Sequence, residues 1–129
     1  MAYYGAEIHL DQVSLTYTYT ASGRNMIYVA SDNDKQAVTT IAGGTYTMNN
    51  HSGNRYVCAH GNAIVYIKGG VFNGKPAGSS NAPFEEIAIG SYVPQIIVTG
   101  GTFNFDPTAF VADGYKVVKS GSTWTVQAE

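Results

Sequence analysis

A chain of 129 residues with 44% hydrophobic and only 12% charged residues has enough apolar material for one core. It must build its polar surface mostly from Ser, Thr, Asn and Gly, because its charged share is about half the usual one. A net charge of −2 with no basic run excludes the clustered Lys and Arg that displace counterions from a nucleic acid. The one cysteine, Cys58, excludes an intrachain disulfide, and no apolar run approaches the ~20 residues that cross a bilayer. The 15 Gly and 10 Tyr point to a turn-rich β-protein.

At the start of the chain, Met1-Ala2-Tyr3-Tyr4-Gly5-Ala6-Glu7-Ile8 has neither a basic region nor a long apolar stretch. It does not read as a secretory signal, and the expectation is a protein made and kept in a cytoplasm. Residues 8–20 read as strand, with Ile8, Leu10, Val13, Leu15, Tyr17 and Tyr19 mostly at period two. Thr16-Tyr17-Thr18 reappears as Thr45-Tyr46-Thr47, which makes this stretch a degenerate first copy of the unit that follows, with Ser14-Leu15 in place of a glycine pair.

That unit occurs three times: Ala37-Val38-Thr39-Thr40-Ile41-Ala42-Gly43-Gly44-Thr45-Tyr46, Ala63-Ile64-Val65-Tyr66-Ile67-Lys68-Gly69-Gly70-Val71-Phe72, and Pro94-Gln95-Ile96-Ile97-Val98-Thr99-Gly100-Gly101-Thr102-Phe103. A shorter element precedes each copy, as Ile27-Tyr28-Val29-Ala30, Tyr56-Val57-Cys58-Ala59 and Ile87-Ala88-Ile89-Gly90, with turns at Ser22-Gly23 and Ser52-Gly53. The glycine pairs lie 26 and then 31 residues apart. The longer step is explained by a loop insertion over residues 74–83, and residues 32–36 form a second loop.

Ile41 and Tyr46 are five apart, as are Ile67 and Phe72, and Val98 and Phe103. In a straight strand this odd spacing puts the two on opposite faces. If both are core residues, the chain must bend between them. The pairs Gly43-Gly44, Gly69-Gly70 and Gly100-Gly101 are the residues that permit the bend, as structural corners. Equivalent residues then stack as Thr39, Val65, Ile96; as Ile41, Ile67, Val98; and as Tyr46, Phe72, Phe103. A period of about 29 residues with three short strands per turn is the pattern of a parallel β-helix.

Past the repeat, Asp106 is placed as an N-cap, Pro107 as a first helical residue and Gly114 as a left-handed terminus, so residues 106–114 are expected to form a short helix. Tyr115-Lys116-Val117-Val118-Lys119 and Thr123-Trp124-Thr125-Val126 flank Ser120-Gly121-Ser122, a hairpin pattern. A β-helix needs its open edge covered, and this tail is placed to cover it.

The repeats and this tail resemble the right-handed parallel β-helix proteins of gut bacteria and their phages. The resemblance is carried by Gly100-Gly101-Thr102-Phe103, Asp106-Pro107, Ala109-Phe110-Val111-Ala112-Asp113-Gly114-Tyr115, Val117-Val118 and Thr123-Trp124-Thr125-Val126. It implies an all-β fold, a short single-stranded right-handed parallel β-helix of about three to four coils with a C-terminal short helix and β-hairpin cap. Residues 1–10 are then an N-terminal arm or first strand outside the repeat, 11–105 the coils and 106–129 the cap. Polysaccharide lyases and tailspike depolymerases share such a fold, but fold does not carry function.

No catalytic constellation is expected. Glu85-Glu86 read as solvated charges at a loop edge. Asp32, Asn33 and Asp34 offer too few oxygens for calcium. Cys58 and His60 could share a strand face but lack a third partner for a metal or nucleophile site, and Cys58 aligns with Val29 and Ile89 as a buried thiol. His9, His51 and His60 are scattered. No cofactor and no metal are expected. Tyr3, Tyr4, Tyr17, Tyr19, Tyr28, Tyr66 and Tyr92 exceed what a slim core can use, and exposed Tyr on a β-face suits a protein interface or a sugar.

The expectation is therefore a non-enzymatic assembly protein: a bacteriophage virion component such as a capsid decoration protein, head fibre or fibre segment. Its expected partners are a phage capsid or other virion protein, which it meets through its N-terminus, and its own copies as a homotrimer, the oligomer the resemblance implies. The alternative is a carbohydrate-binding or adhesin module at a bacterial surface, with a glycan-cleaving enzyme behind it. Neither nucleic acid nor membrane is an expected partner.

Overall fold

Short β-branched stretches separated by sharp corners fold into strands that recur every three elements. The computed structural model describes residues 7–17, 25–48, 54–74 and 83–129. Tyr3, Tyr4, Tyr19 and His51, the turns at Ser22-Gly23 and Ser52-Gly53, and most of the 74–83 loop lie outside the described residues. The first pass of the chain lays down β1 (Glu7–Leu10), β2 (Ser14–Tyr17) and β3 (Asn25–Ser31). The second lays down β4 (Ala37–Ile41), β5 (Thr45–Met48) and β6 (Arg55–Gly61), and the third β7 (Ala63–Ile67), β8 (Val71–Asn73) and β9 (Phe84–Ile87). β10 (Gln95–Val98) and β11 (Thr102–Phe103) begin a fourth, before β12 (Tyr115–Ser120) and β13 (Thr123–Ala128).

Strands three apart pair in parallel. One sheet runs β1-β4-β7-β10 and another β3-β6-β9. In the remaining sheet β2-β5-β8-β11 is extended by the antiparallel pair β13 and β12. The protein is thus all-β and built on parallel sheets. The expected inward rows are present: Thr39 opposes Val65 and Val65 opposes Ile96; Ile41, Ile67 and Val98 align; so do Tyr46, Phe72 and Phe103. The aromatic row is a column of stacked rings, with centroids 4.8 Å apart for Tyr46–Phe72 and 5.1 Å for Phe72–Phe103. Such pairs contribute about 0.5–1.5 kcal/mol each beyond area burial. Tyr46 and Tyr56 are fully buried, and each donates its hydroxyl to backbone, Tyr46 to Gly43 O at 2.7 Å and Tyr56 to Asn73 O at 2.5 Å.

The glycine pairs are corners, and the two glycines have different tasks. The second of each pair, Gly44, Gly70 and Gly101, has φ of 100°, 103° and 104°, a region that L side chains rarely enter. The first allows close stacking on the preceding pass: a Cβ on Gly69 would lie 2.4 Å from Ala42 O.

Five expectations are corrected. Residues 8–20 are not one strand. β1 and β2 meet at a corner through Gln12, whose φ is 54°, because Leu10 and Leu15 have the same five-residue separation as Ile41 and Tyr46. Register follows: Leu10 opposes Ile41 and Leu15 opposes Tyr46, so the residue equivalent to Tyr46 is Leu15 and not Tyr17. Both alignments preserve the facing of the strand, and the corner length decides between them. Glu7–Leu10 is a full member of the stack, in register with β4, and not an arm outside it.

In the three-stranded sheet, Ile27 opposes Val57 and Val57 opposes Phe84, so the third strand is Phe84–Ile87. Phe84 is buried edge-to-face against Phe72, Phe103, Phe105 and Phe110, and this large ring claims the inward slot. Ile89 and Tyr92 instead close a tight turn through reciprocal backbone hydrogen bonds. At the C-terminus the expected short helix is one three-residue 3-10 turn, Thr108–Phe110, with Pro107 at its N-cap. The Asp106 carboxylate accepts from the Thr108 backbone N–H at 3.0 Å and from its hydroxyl at 2.5 Å, and these bonds hold its pKa below the ordinary value. Val111 then turns extended to bridge Val98, which ends the turn. The hairpin forms as expected, with Gly121-Ser122 between β12 and β13.

Candidate assembly surfaces

The two ends of the stack differ. At the C-terminal end the chain's own tail covers part of its last pass. β13 pairs with β11, Val111 bridges Val98 on β10, and Phe105 and Phe110 pack on Phe84. The carboxylate of the exposed Glu86 accepts the Ile96 N–H of β10 at 2.7 Å, a charge placed where it blunts a strand edge. At the N-terminal end β1, β2 and β3 are outermost in their sheets, and among the described residues no strand lies beyond them.

The inward rows run out at that end. Ile8, Leu10 and Leu15 are half-buried, while Thr39, Ile41 and Tyr46 beneath them are buried. With Met26, Ile27 and Thr39 they line a cavity of about 280 Å³. The Thr39 hydroxyl is 1% exposed as a residue and its oxygen has no hydrogen-bond partner. The sequence places Ile8, Leu10 and Leu15 at strand period and Thr39 in an inward row, but nothing in it marks them as lining a cavity. The available signal was the Leu10–Leu15 spacing, which marks the first pass as a full pass.

Tyr28 and Tyr66 lie on outer faces, Tyr92 in a turn and Tyr17 inward, so the structure separates the candidate tyrosines. Tyr28 lies on the outer face of β3, with its hydroxyl 2.5 Å from His60 Nδ1. Tyr66 lies on the outer face of β7 in a row with His9, Thr40 and Ile97, beneath Lys68 Nζ at 5.8 Å. Tyr92 sits in the turn after β9 and donates to Asp34 at 2.5 Å, and this bond raises its pKa. Tyr17 faces inward with Leu15 and packs against the core. The described tyrosines therefore do not form one lined face.

Other chemistry candidates are placed as follows. Cys58 opposes Tyr28 and Glu85 rather than Val29 and Ile89, but its thiol is buried as expected, and burial pushes its pKa up against the opposing effect of Arg55. Glu85 is in β9 and forms an ion pair with Arg55. Asn33 Oδ1 accepts from Lys35 N at 2.9 Å, which shapes the 32–36 loop. Among the described residues no group of three His, Cys, Asp or Glu side chains is placed to hold a metal, and no helix is long and apolar enough to cross a membrane. On the β2-β5-β8-β11-β13-β12 sheet an uncharged outer row runs Ser14, Thr45, Val71, Thr102, Thr125, Val118. Comparison with models of protein families, with curated proteins and with solved structures found no match.

Proposed function

We propose that this chain is a non-enzymatic structural protein, a right-handed parallel β-helix that serves as a bacteriophage virion component, docking through its N-terminal end and self-associating as a homotrimer. The observation that carries the docking reading is the difference between the two ends. The C-terminal edges are occupied by the chain's own hairpin, by Val111 and by the Glu86 carboxylate, whereas β1, β2 and β3 surround an apolar cavity. A stack whose last pass is partly covered by its own tail, and whose first pass has no strand beyond it among the described residues, suits a unit that seats on a larger body. The tail acts as the cap of the stack, and the uncharged Ser/Thr/Val row suits permanent contacts. The test is mass spectrometry of density-purified phage particles from a culture that carries this gene. The chain should be present in fixed proportion to the capsid protein, and its absence from particles overturns the reading.

A carbohydrate-binding role at a bacterial surface is the second reading, favoured by the half-exposed rings of Tyr28 and Tyr66. A glycan array that shows saturable binding, lost on Tyr66→Ala, would support it over the first.

A further inference from the structure

We infer that Asp113-Gly114 is a site of spontaneous covalent modification, where the chain rearranges through a succinimide to an isoaspartyl linkage and so loosens β12. This does not depend on the virion reading.

Asn73-Gly74 and Asp113-Gly114 are the two places where Asn or Asp precedes glycine. Glycine matters because its backbone nitrogen must reach the preceding side-chain carbonyl carbon, and a Cβ crowds that approach. At the second pair the Gly114 nitrogen bonds to Asp113 Cγ. The hydroxyl of the protonated carboxyl leaves with the amide proton as water. Water then opens the succinimide ring. Attack at the side-chain carbonyl returns aspartate. Attack at the backbone carbonyl leaves the chain running through Cβ and Cγ, with the α-carboxylate free. Water is the one co-reactant, and nothing is oxidised or reduced.

The structure separates the two pairs. Asp113 and Gly114 are both exposed. They are the central residues of a turn in which Tyr115 N donates to Ala112 O at 3.2 Å. Such a turn uses the N–H of its last residue and leaves that of Gly114 outside the bond. Nothing lies within 4 Å of the Gly114 Cβ position, and a cavity of about 380 Å³ opens beside the pair. The ring therefore closes into free space. Asn73 is held instead. It is paired with Thr47 in β5, and its carbonyl accepts from the buried Tyr56 hydroxyl at 2.5 Å. The Gly74 Cβ position is 2.4 Å from Met48 O, so the next residue is pressed on the adjacent pass. The peptide between Asn73 and Gly74 cannot swing to close a ring without breaking these contacts.

The Asp113 turn sets where β12 starts. Just before it, Ala112 N donates to Val98 O at 3.1 Å, and just after it Gly114 O accepts from Glu129 N at 3.0 Å. An extra backbone carbon between these two anchors spoils their match, and β12, paired on one side alone, takes up the slack.

The test is peptide mapping by mass spectrometry of the full chain, aged in neutral buffer below its unfolding transition. The peptide holding Asp113 should first appear lighter by one water. It should then appear at its original mass as a separately eluting form that an isoaspartate methyltransferase labels. In the native chain this should run about tenfold or more faster than change at Asn73. In urea the order should reverse, since an asparagine amide loses ammonia more readily than a carboxyl loses water. Gly114→Ala should slow the native reaction about tenfold, because its Cβ crowds the closing ring. Hydrogen exchange of the isoaspartyl form should be about tenfold faster in β12 and unchanged in β7. No isoaspartate at Asp113 in the aged native chain overturns the site, as does native change at Asn73 that keeps pace with it. Isoaspartate with unaltered β12 exchange overturns the loosening.

Discussion

The carbonyl oxygen of Lys68 lies 2.2 Å from the point a Cβ on Gly100 would occupy. The neighbour is backbone of the adjacent pass, so the contact cannot be relieved by rotating a side chain. Gly100→Ala forces the two passes apart at a corner and is expected to destabilise by about 2 kcal/mol or more. Gly114 is the control. Its φ is 85°, but nothing lies within 4 Å of the Cβ position, so Gly114→Ala carries only the left-handed strain of about 1 kcal/mol. Urea midpoints of the two variants distinguish packing from dihedral strain, and equal losses would refute the stacking role.

Gln12 adopts a φ of 54° at the first corner. A residue with a Cβ pays for this conformation, and glycine does not. Gln12→Gly is expected to raise stability by about 1 kcal/mol, visible as a higher urea midpoint at unchanged slope. A loss would mean that the Gln12 side chain contributes more than its strain costs.

Thr39 occupies an inward row between Ile8 and Val65, and its hydroxyl oxygen has no partner. An unmatched buried hydroxyl costs about 1–3 kcal/mol, and Val has nearly the same shape. Thr39→Val should therefore be neutral or stabilising by about 1 kcal/mol in the same denaturation experiment.

Cys58 is buried, and burial raises its thiol pKa. The native thiol should resist iodoacetamide at pH 8 and react only as fast as the protein unfolds. The linkage has a definite sign. The neutral thiol is favoured in the folded state, so its contribution is complete below the ordinary value of 9.0 and is lost as pH rises from there through the raised folded value. Cys58→Ala should flatten that alkaline decline. Rapid labelling of the native protein would show that the thiol is open to solvent.

The inward rows and the glycine corners were legible from the sequence because an odd spacing between two core residues requires a bend. The same rule applied to Leu10 and Leu15 identifies the first corner, but period two across residues 8–20 masks it, since no glycine stands there. Phe84 was missed for a different reason. Ile87-Ala88-Ile89 looks more strand-like than Phe84-Glu85-Glu86-Ile87, and only the demand of the aromatic core for a large ring opposite Val57 decides the register. The 3-10 turn was overestimated because Asp106 and Pro107 do signal a helix start, whereas the Val111–Val98 bridge that ends it is a tertiary contact. The cavity at the N-terminal end had no local signal, because it arises where the inward rows stop.

Residue-resolved hydrogen exchange of the free protein tests most directly the central claim, that the chain's own tail covers its last pass while no described strand covers its first. Protection should be lower in β1, β2 and β3 than in β11, which β13 covers, and highest in β4, β5, β7 and β8, where strands pair on both sides. Equal protection at both ends, or a gradient that runs the other way, would contradict it.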